Sequence, residues 1–120
     1  MPFIRIDNYH PSYKYNCLAG LPQDLRQACV QADTPDVGTV SQVTAVFGAE
    51  QAVPDDKNLW IFVTGIFDRA GRSTVAKDGL ATALALAAKK RLPSDWCVRV
   101  FIERYNWELD SFAAGADESA

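Results

Sequence analysis

The first residue that could carry chemistry is the second residue of the chain. Removal of Met1 before a small residue such as Pro2 leaves a free secondary amine at the start of a strand. An α-amino group has a reference pKa of about 7.7–8.0, and burial or nearby cations lower that pKa because they disfavour the protonated form. Pro2 is therefore a candidate general base that works without a histidine.

Two arginines lie between a predicted strand and a predicted helix, in the run DRAGRS at 68–73. Arginine binds carboxylates bidentately, and the free N–H groups of a first helical turn also favour anions. Arg69 and Arg72 are therefore candidates for binding an acidic substrate. The alternative is a solvated turn in which Asp68 pairs with Arg69.

A third arginine and an aromatic residue are the remaining candidates. Arg99 lies in the middle of a predicted strand, on one face with Cys97, Phe101 and Glu103. A buried guanidinium needs a partner, and either Glu103 or a bound anion fits that role. Phe112 follows the last predicted strand, where it either forms a wall of a pocket or packs in the core.

Cysteine and histidine usage excludes several other kinds of site. The three cysteines, Cys17, Cys29 and Cys97, form no CxxC pair, and the only histidine is His10. Zinc sites need about four closely spaced ligands, so we expect no metal. A nucleophile–histidine pair would have to use His10, which we place in a polar turn instead.

Length and composition set the class of protein. At 120 residues and 13.2 kDa the chain has the size of one domain, 1–120, and its 48% apolar content is sufficient for a core. The longest apolar run, 59–67, is far shorter than the roughly 18 residues that span a bilayer. We see no signal peptide, and a net charge of −3 without a long basic tract argues against nucleic acid. We therefore expect a cytoplasmic protein that binds neither membrane nor nucleic acid.

The elements that must position these residues fall into two similar halves, a pseudo-repeat of 1–50 and 58–115. Apolar alternation predicts strands, and apolar residues at a spacing of 3.6 predict helices. In chain order the predicted elements are strand 2–7, a helix opened by Pro22, strand 40–47, strand 59–67, a helix capped by Ser73 and strand 97–103.

Two β-α-β units in a single chain predict an α/β (α+β) fold. We expect two parallel strand pairs in one sheet, with both helices packed on one face. No helix is left to cover the opposite face. Because a small domain with a bare apolar face usually buries it against other copies, we expect a closed homo-oligomer.

The second half of the chain combines a motif at the start of a helix with a strand and a later aromatic residue. Its members are Gly71, Arg72, Ser73, Lys77, Leu80, Val98, Arg99, Val100, Ile102, Glu103, Phe112 and Gly115. With these residues the second half resembles 4-oxalocrotonate tautomerase, and Pro2 supplies the amino-terminal proline of the tautomerase superfamily. The length, the doubled architecture and the run from Ile61 through Ser73 resemble the cis-3-chloroacrylic acid dehalogenase branch of that superfamily.

The resemblance implies a homotrimer with the tautomerase (MIF-like) fold and a cofactor-independent keto–enol tautomerase that acts on a small 2-oxo or 2-hydroxy-dienoate carboxylic acid. Pro2 is then the general base. Arg72 and Arg99 match the arginines that bind the carboxylate and the carbonyl, and Phe112 matches the aromatic that keeps the proline environment apolar. Arg69 and Arg72 match the arginine pair of the dehalogenase branch.

The chain departs from the dehalogenase branch at the residues that activate water. Cys29 stands at the position of its histidine, Val100 at that of its tyrosine, and Asp110 lies near that of its glutamate. A hydratase, dehalogenase or decarboxylase remains the alternative, with Glu103 or Asp110 to activate water. A non-catalytic trimer is the third possibility, because a retained Met1 would make the Pro2 nitrogen an amide.

Overall fold

The computed structural model describes residues 2–32, 38–50, 57–68 and 74–106. Short 3₁₀ helices occupy Pro11–Tyr15 and Val40–Gln42. The main elements, in chain order, are β1 (Phe3–Asp7), α1 (Leu21–Gln31), β2 (Thr44–Phe47), β3 (Asn58–Asp68), α2 (Thr74–Lys89) and β4 (Cys97–Asn106).

The four strands form one mixed sheet in the order β2-β1-β3-β4. β1 pairs with β2 in parallel, β3 pairs with β4 in parallel, and the two pairs join where β1 runs antiparallel to β3. Each parallel pair is connected through one helix, as parallel connections require. The predicted fold of two β-α-β units in one sheet is therefore confirmed.

Both helices pack on the same face of the sheet. Each fully buried aliphatic side chain contributes about 1.5–3 kcal/mol relative to exposure, so this layer is the main source of stability. Its members from the strands are Ile4, Ile6, Leu59, Ile61 and Val63, and those from the helices are Leu21, Leu25, Ala28, Cys29, Leu80, Leu84 and Ala88. Within the described residues, neither helix is long and apolar enough to cross a membrane.

The other face of the sheet, which we call the open face, carries exposed aromatic and aliphatic side chains. Phe3 is 42% exposed, Phe101 is 46% exposed and Val46 is 38% exposed. The Phe62 and Phe101 rings stack with centroids 5.0 Å apart, and the guanidinium of Arg5 lies 4.8 Å from the Phe62 centroid. Within the described residues this face has no helix over it, as the sequence predicts.

The predicted strand 40–47 forms only over its second half, because its first three residues turn into a 3₁₀ helix. The side-chain oxygen Oε1 of Gln42 accepts a hydrogen bond from the backbone N–H of Thr39 at 3.0 Å. This local bond offers the backbone an alternative to the strand ladder. β2 is consequently a four-residue strand at the edge of the sheet.

Candidate functional site

Pro2 lies at the amino-terminal end of β1, where it is buried. Its carbonyl oxygen accepts a hydrogen bond from the backbone N–H of Thr44 at 3.1 Å. Phe3 pairs with Thr64, so the register continued by one residue places Pro2 opposite Gly65. We call this end of the sheet, formed by Pro2, Thr44, Gly65 and the adjoining part of β4, the proline end.

A β-bulge lies on β3 directly beside Pro2. Val63 pairs with Ile102 and Ile66 pairs with Arg104, so two residues of β3, Thr64 and Gly65, stand against one residue of β4. Gly65 has φ 82°, a conformation that costs little only for glycine. Bulges change the direction of a strand and are frequent next to active sites.

Glu103 is the residue that faces this bulge from β4. Its side chain is exposed. β3 separates β4 from β1, so the backbone of Glu103 lies about 10 Å from that of Pro2, two strand spacings away. Of the predicted site residues that the structure describes, Glu103 is the one brought to the level of Pro2.

Arg99 lies towards the opposite end of the sheet. It pairs with Trp60, which in turn pairs with Asp7, five residues along β1 from Pro2. At about 3.3 Å per residue, this offset is about 17 Å along the strands. In the single chain Arg99 is exposed and not buried, and its Nε donates to Oδ1 of Asn58 at 3.4 Å.

Four predicted site residues, Arg69, Arg72, Asp110 and Phe112, lie outside the described residues. β3 and β4, the strands that precede these residues in the chain, lie within the described residues. β3 ends at Asp68 and β4 ends at Asn106, and these two residues pair with each other three residues beyond Gly65. Both strands thus end beyond the proline end, on the side away from Arg99.

The end of the sheet opposite Pro2 holds a buried polar network. Asp7 accepts hydrogen bonds from the backbone N–H of Ala49 at 2.8 Å and from Nε of Arg5 at 2.9 Å. Gly48 leaves the space for this carboxylate, because a Cβ there would overlap Asp7 Oδ1 and lie 2.6 Å from Cγ of Arg5. The network joins the carboxyl ends of β1 and β2 and shows no sign of chemistry.

An arginine that the sequence did not single out reaches the segment before β2. Arg26, on α1, donates from Nε to the carbonyl oxygens of Val43 at 2.9 Å and Val40 at 3.2 Å, and from Nη2 to Val40 at 2.9 Å. Arginine is common on exposed helix faces, so its type and spacing gave no signal. Only its hydrogen bonds to the Val40 and Val43 carbonyl oxygens single out Arg26 among the residues of α1.

A groove of about 540 Å³ runs between the two helices. Its lining is mostly small and polar and includes Asp24 and Ala28 of α1, Ala83 and Leu86 of α2, and Lys90 just beyond α2. None of the described site candidates lines it. Within the described parts of the chain, no group of three or more His, Cys, Asp or Glu residues is placed to hold a metal ion.

Comparison with known proteins identifies the fold. No protein-family model and no curated protein matches the chain. Among solved structures, the wild-type fused 4-OT (4-oxalocrotonate tautomerase) F6, an asymmetric trimer, is 18% identical with a TM-score of 0.66, covering 94% of this chain and 92% of its own. N1, a member of the cis-3-chloroacrylic acid dehalogenase family, is 15% identical with a TM-score of 0.64, covering 92% and 79%.

A third structure, the FG41 malonate semialdehyde decarboxylase inhibited by 3-bromopropiolate, is 18% identical with a TM-score of 0.58, covering 95% of this chain and 91% of its own. At these identities the likeness shows that the chain has the tautomerase fold. The resemblance to 4-oxalocrotonate tautomerase and to the dehalogenase branch is thereby confirmed at the level of the fold.

Proposed function

We propose that this chain is a cofactor-independent keto–enol tautomerase of a small 2-oxo or 2-hydroxy-dienoate carboxylic acid, with Pro2 as the general base. The observation that carries the proposal is the placement of Pro2. It is buried at the end of an inner strand, beside a bulge, on a fold shared with tautomerases. The strands that lead to Arg69, Arg72 and Phe112 end beyond the same end of the sheet.

The chemistry needs only a base and fixed cations. Once Met1 is removed, the Pro2 nitrogen takes a proton from the enol hydroxyl or the carbon beside the carbonyl, and returns it to another position of the same substrate. By the resemblance, Arg72 and Arg99 bind the carboxylate and the carbonyl of the substrate, and Arg69 joins Arg72 as in the dehalogenase branch. A fixed guanidinium stabilises the enolate that develops as the proton leaves. In general, burial and nearby cations disfavour the ammonium form of an amine and so favour the free base that this mechanism requires.

Arg99 takes part in this site only if another copy of the chain provides it. Within one chain it lies about 17 Å along the strands from the level of Pro2. The open face, with Phe3 and Phe101 exposed, is the surface on which copies associate in the proposed homotrimer. The proposed active site is therefore shared between subunits, and the proposal includes the single domain and the cytoplasmic location that the sequence predicts.

Glu103 supports a second candidate function, a hydratase, dehalogenase or decarboxylase. Its carboxylate is exposed on β4 at the level of Pro2, which suits a group that activates water. The fold likeness to a decarboxylase and to a dehalogenase-family member points in the same direction. Asp110 is the other carboxylate available for this role. If Met1 is retained, the third hypothesis, a trimer without catalysis, replaces both catalytic proposals.

The test is the rate at which the purified trimer ketonises a small enolpyruvate. Replacing Pro2 by Ala exchanges the secondary amine for a primary amine, so the rate should fall, by up to the about 10²–10⁴-fold that a well-placed general base contributes. Pro11→Ala, in a 3₁₀ helix away from β1, is the matched control and should leave the rate unchanged. Equal rates for Pro2→Ala and the parent protein would show that the secondary amine of Pro2 is not required.

The carboxylates separate the two candidate reactions. In a tautomerase, Glu103→Gln and Asp110→Asn leave ketonisation within a few-fold of the parent rate, because no water is activated. In a hydratase or decarboxylase, one of these changes abolishes the water-dependent reaction of a 3-halo- or 3-oxo acid. Arg72→Ala should raise KM in both cases, because carboxylate binding is common to them.

A further inference from the structure

A short chain of hydrogen bonds joins α1 to the carbonyl of Pro2. Nε of Arg26 donates to the carbonyl oxygen of Val43 at 2.9 Å, and the N–H of Thr44 donates to the carbonyl oxygen of Pro2 at 3.1 Å. The Val43 carbonyl and the Thr44 N–H belong to one peptide unit, which is planar and rigid. A group that fixes this carbonyl therefore also fixes the direction of the N–H that holds Pro2.

The guanidinium of Arg26 is itself held in place. Nε and Nη2 share the carbonyl oxygen of Val40 at 3.2 and 2.9 Å, and Nη1 donates to Oε1 of Gln23 at 2.9 Å. Arg26 thus contacts both ends of the 3₁₀ turn that leads into β2. Only the planar, five-donor fork of arginine can make this set of bonds, which lysine cannot reproduce.

The sheet around Pro2 gives this residue little support beyond the hydrogen bond from Thr44. Among the described strands, β2, which supplies the Thr44 N–H, is an edge strand of four residues that pairs with β1 alone. On its other side Pro2 stands opposite Gly65, a bulge residue at positive φ, and bulges disrupt the ladder locally. Arg26 adds to the packing of Val43 in the core the hydrogen bonds that join the segment before β2 to α1.

We propose that Arg26 is a positioning residue for Pro2: through the Val43–Thr44 peptide unit, it holds the proline in the orientation from which its nitrogen can reach substrate. The inference rests on the proposed role of Pro2 as the base. Arg26 touches neither substrate nor the Pro2 nitrogen. Losing such a residue should lower kcat and leave KM nearly unchanged, because substrate binding is assigned to other arginines in the proposed function.

Three variants of the full-length protein test this role. Arg26→Met keeps the aliphatic stem and removes every donor, Arg26→Lys keeps the charge and restores part of the bonding, and Arg91→Met is the matched control. Arg91 lies just beyond the carboxyl end of α2. It donates to Asp24 of α1 and to the carbonyl oxygen of Cys17, far from the segment before β2. All three are compared by kcat, KM and urea unfolding.

A second readout does not require turnover. The Pro2 amine adds to the activated triple bond of 2-oxo-3-pentynoate, an acetylenic 2-oxo acid, and its proton passes to the carbon beside the carbonyl. The adduct at Pro2 is quantified by peptide mass mapping, because the exposed thiol of Cys97 also adds to such a reagent. Arg26→Met should lower kcat and the labelling rate about tenfold or more, since a misplacement of the order of 1 Å costs up to about 100-fold. Arg26→Lys should recover part of both losses. Arg91→Met should lose stability while keeping kcat and labelling.

Each outcome decides the proposal. If Arg26→Met loses stability but keeps the parent kcat and labelling rate, as the control does, Arg26 is merely structural and the proposal is wrong. If the parent protein is labelled at Pro2 but shows no ketonisation, the proposed function fails, while slower labelling of Arg26→Met still supports the positioning role. A parent Pro2 that resists labelling contradicts both, because no reactive amine is then present to position.

Discussion

Complementation between inactive variants tests whether the site is shared between subunits. Arg99 pairs through Trp60 with Asp7, five residues from Pro2. Its backbone is therefore about 17 Å along and about 10 Å across from that of Pro2. An arginine side chain does not bridge this separation within one chain. If both residues serve one site, each site takes Pro2 from one subunit and Arg99 from a neighbour.

The expected magnitude follows from the symmetry of a ring of three. We expect Pro2→Ala and Arg99→Ala each to be strongly impaired as pure trimers at a substrate concentration below KM. The two chains are unfolded together in equal amounts and refolded as mixed trimers. A site works only when it draws Pro2 from an Arg99→Ala chain and Arg99 from a Pro2→Ala chain. With random assembly about one quarter of the sites satisfy both conditions, so the mixture should recover about a quarter of the parent activity.

The control mixes the parent chain with a chain that carries both changes. A shared site predicts about one quarter of the parent activity, and a site within one chain predicts about one half. Mixed assembly is checked by native mass spectrometry. A mixture of the two single variants that stays inactive despite forming mixed trimers would refute the shared site, as would one half of the activity in the control.

Three further predictions concern the scaffold. Gly48→Ala should destabilise the protein by about 2–3 kcal/mol in urea unfolding, because the new Cβ displaces the Asp7 carboxylate from its hydrogen bonds. Gly79→Ala, with nothing within 4 Å of its Cβ, should instead stabilise α2 by about 0.5–1 kcal/mol. A Gly48→Ala protein more stable than Gly79→Ala would contradict the packing at these two positions. Burial raises the pKa of the Cys29 thiol from 9.0 to about 11. In that interval the unfolded chain loses a proton that the folded chain keeps, so stability should fall as pH rises from 9 towards 11. Cys29→Ala should reduce this slope in urea titrations, and the part that remains belongs to groups such as Tyr9, whose pKa burial also raises; an unchanged slope would contradict the role of Cys29. Phe101→Asp should dissociate the trimer in sedimentation experiments, because it puts a charge on the open face. Leu86 is 59% exposed on α2, so Leu86→Asp should leave the trimer intact. A trimer that survives Phe101→Asp would place the interface elsewhere.

Local patterning was sufficient to predict the elements and the helix-covered face. Alternation in β1 and the apolar period of α2 are strong because one side of each element must be buried. The 3₁₀ turn at Val40–Gln42 was missed because Val40 and Val43 are typical strand residues. The 3₁₀ turn is stabilised by the hydrogen bonds of Gln42 to the Thr39 backbone and of Arg26 to the carbonyl oxygens of Val43 and Val40. The spacing of apolar residues carries no information about these bonds.

The arrangement of the site could be predicted only in part. The resemblance correctly indicated the fold and drew attention to Pro2, which is buried. The separation of Arg99 from Pro2 depends on the antiparallel pairing of β1 with β3, a contact between the two halves that the pattern within each half does not specify. The same pairing brings Glu103 to the level of Pro2. Register between distant strands is a tertiary property, set by packing.

The most direct test of the central claim compares two forms of the same protein that differ only in Met1. Intact mass identifies the form with Pro2 at its amino terminus and the form that retains Met1, and both are assayed for enolpyruvate ketonisation after their trimers are shown to be equally folded. If the secondary amine of Pro2 is the base, retention of Met1 makes that nitrogen an amide and lowers the rate by about 100-fold or more. Equal rates for the two forms would contradict the account.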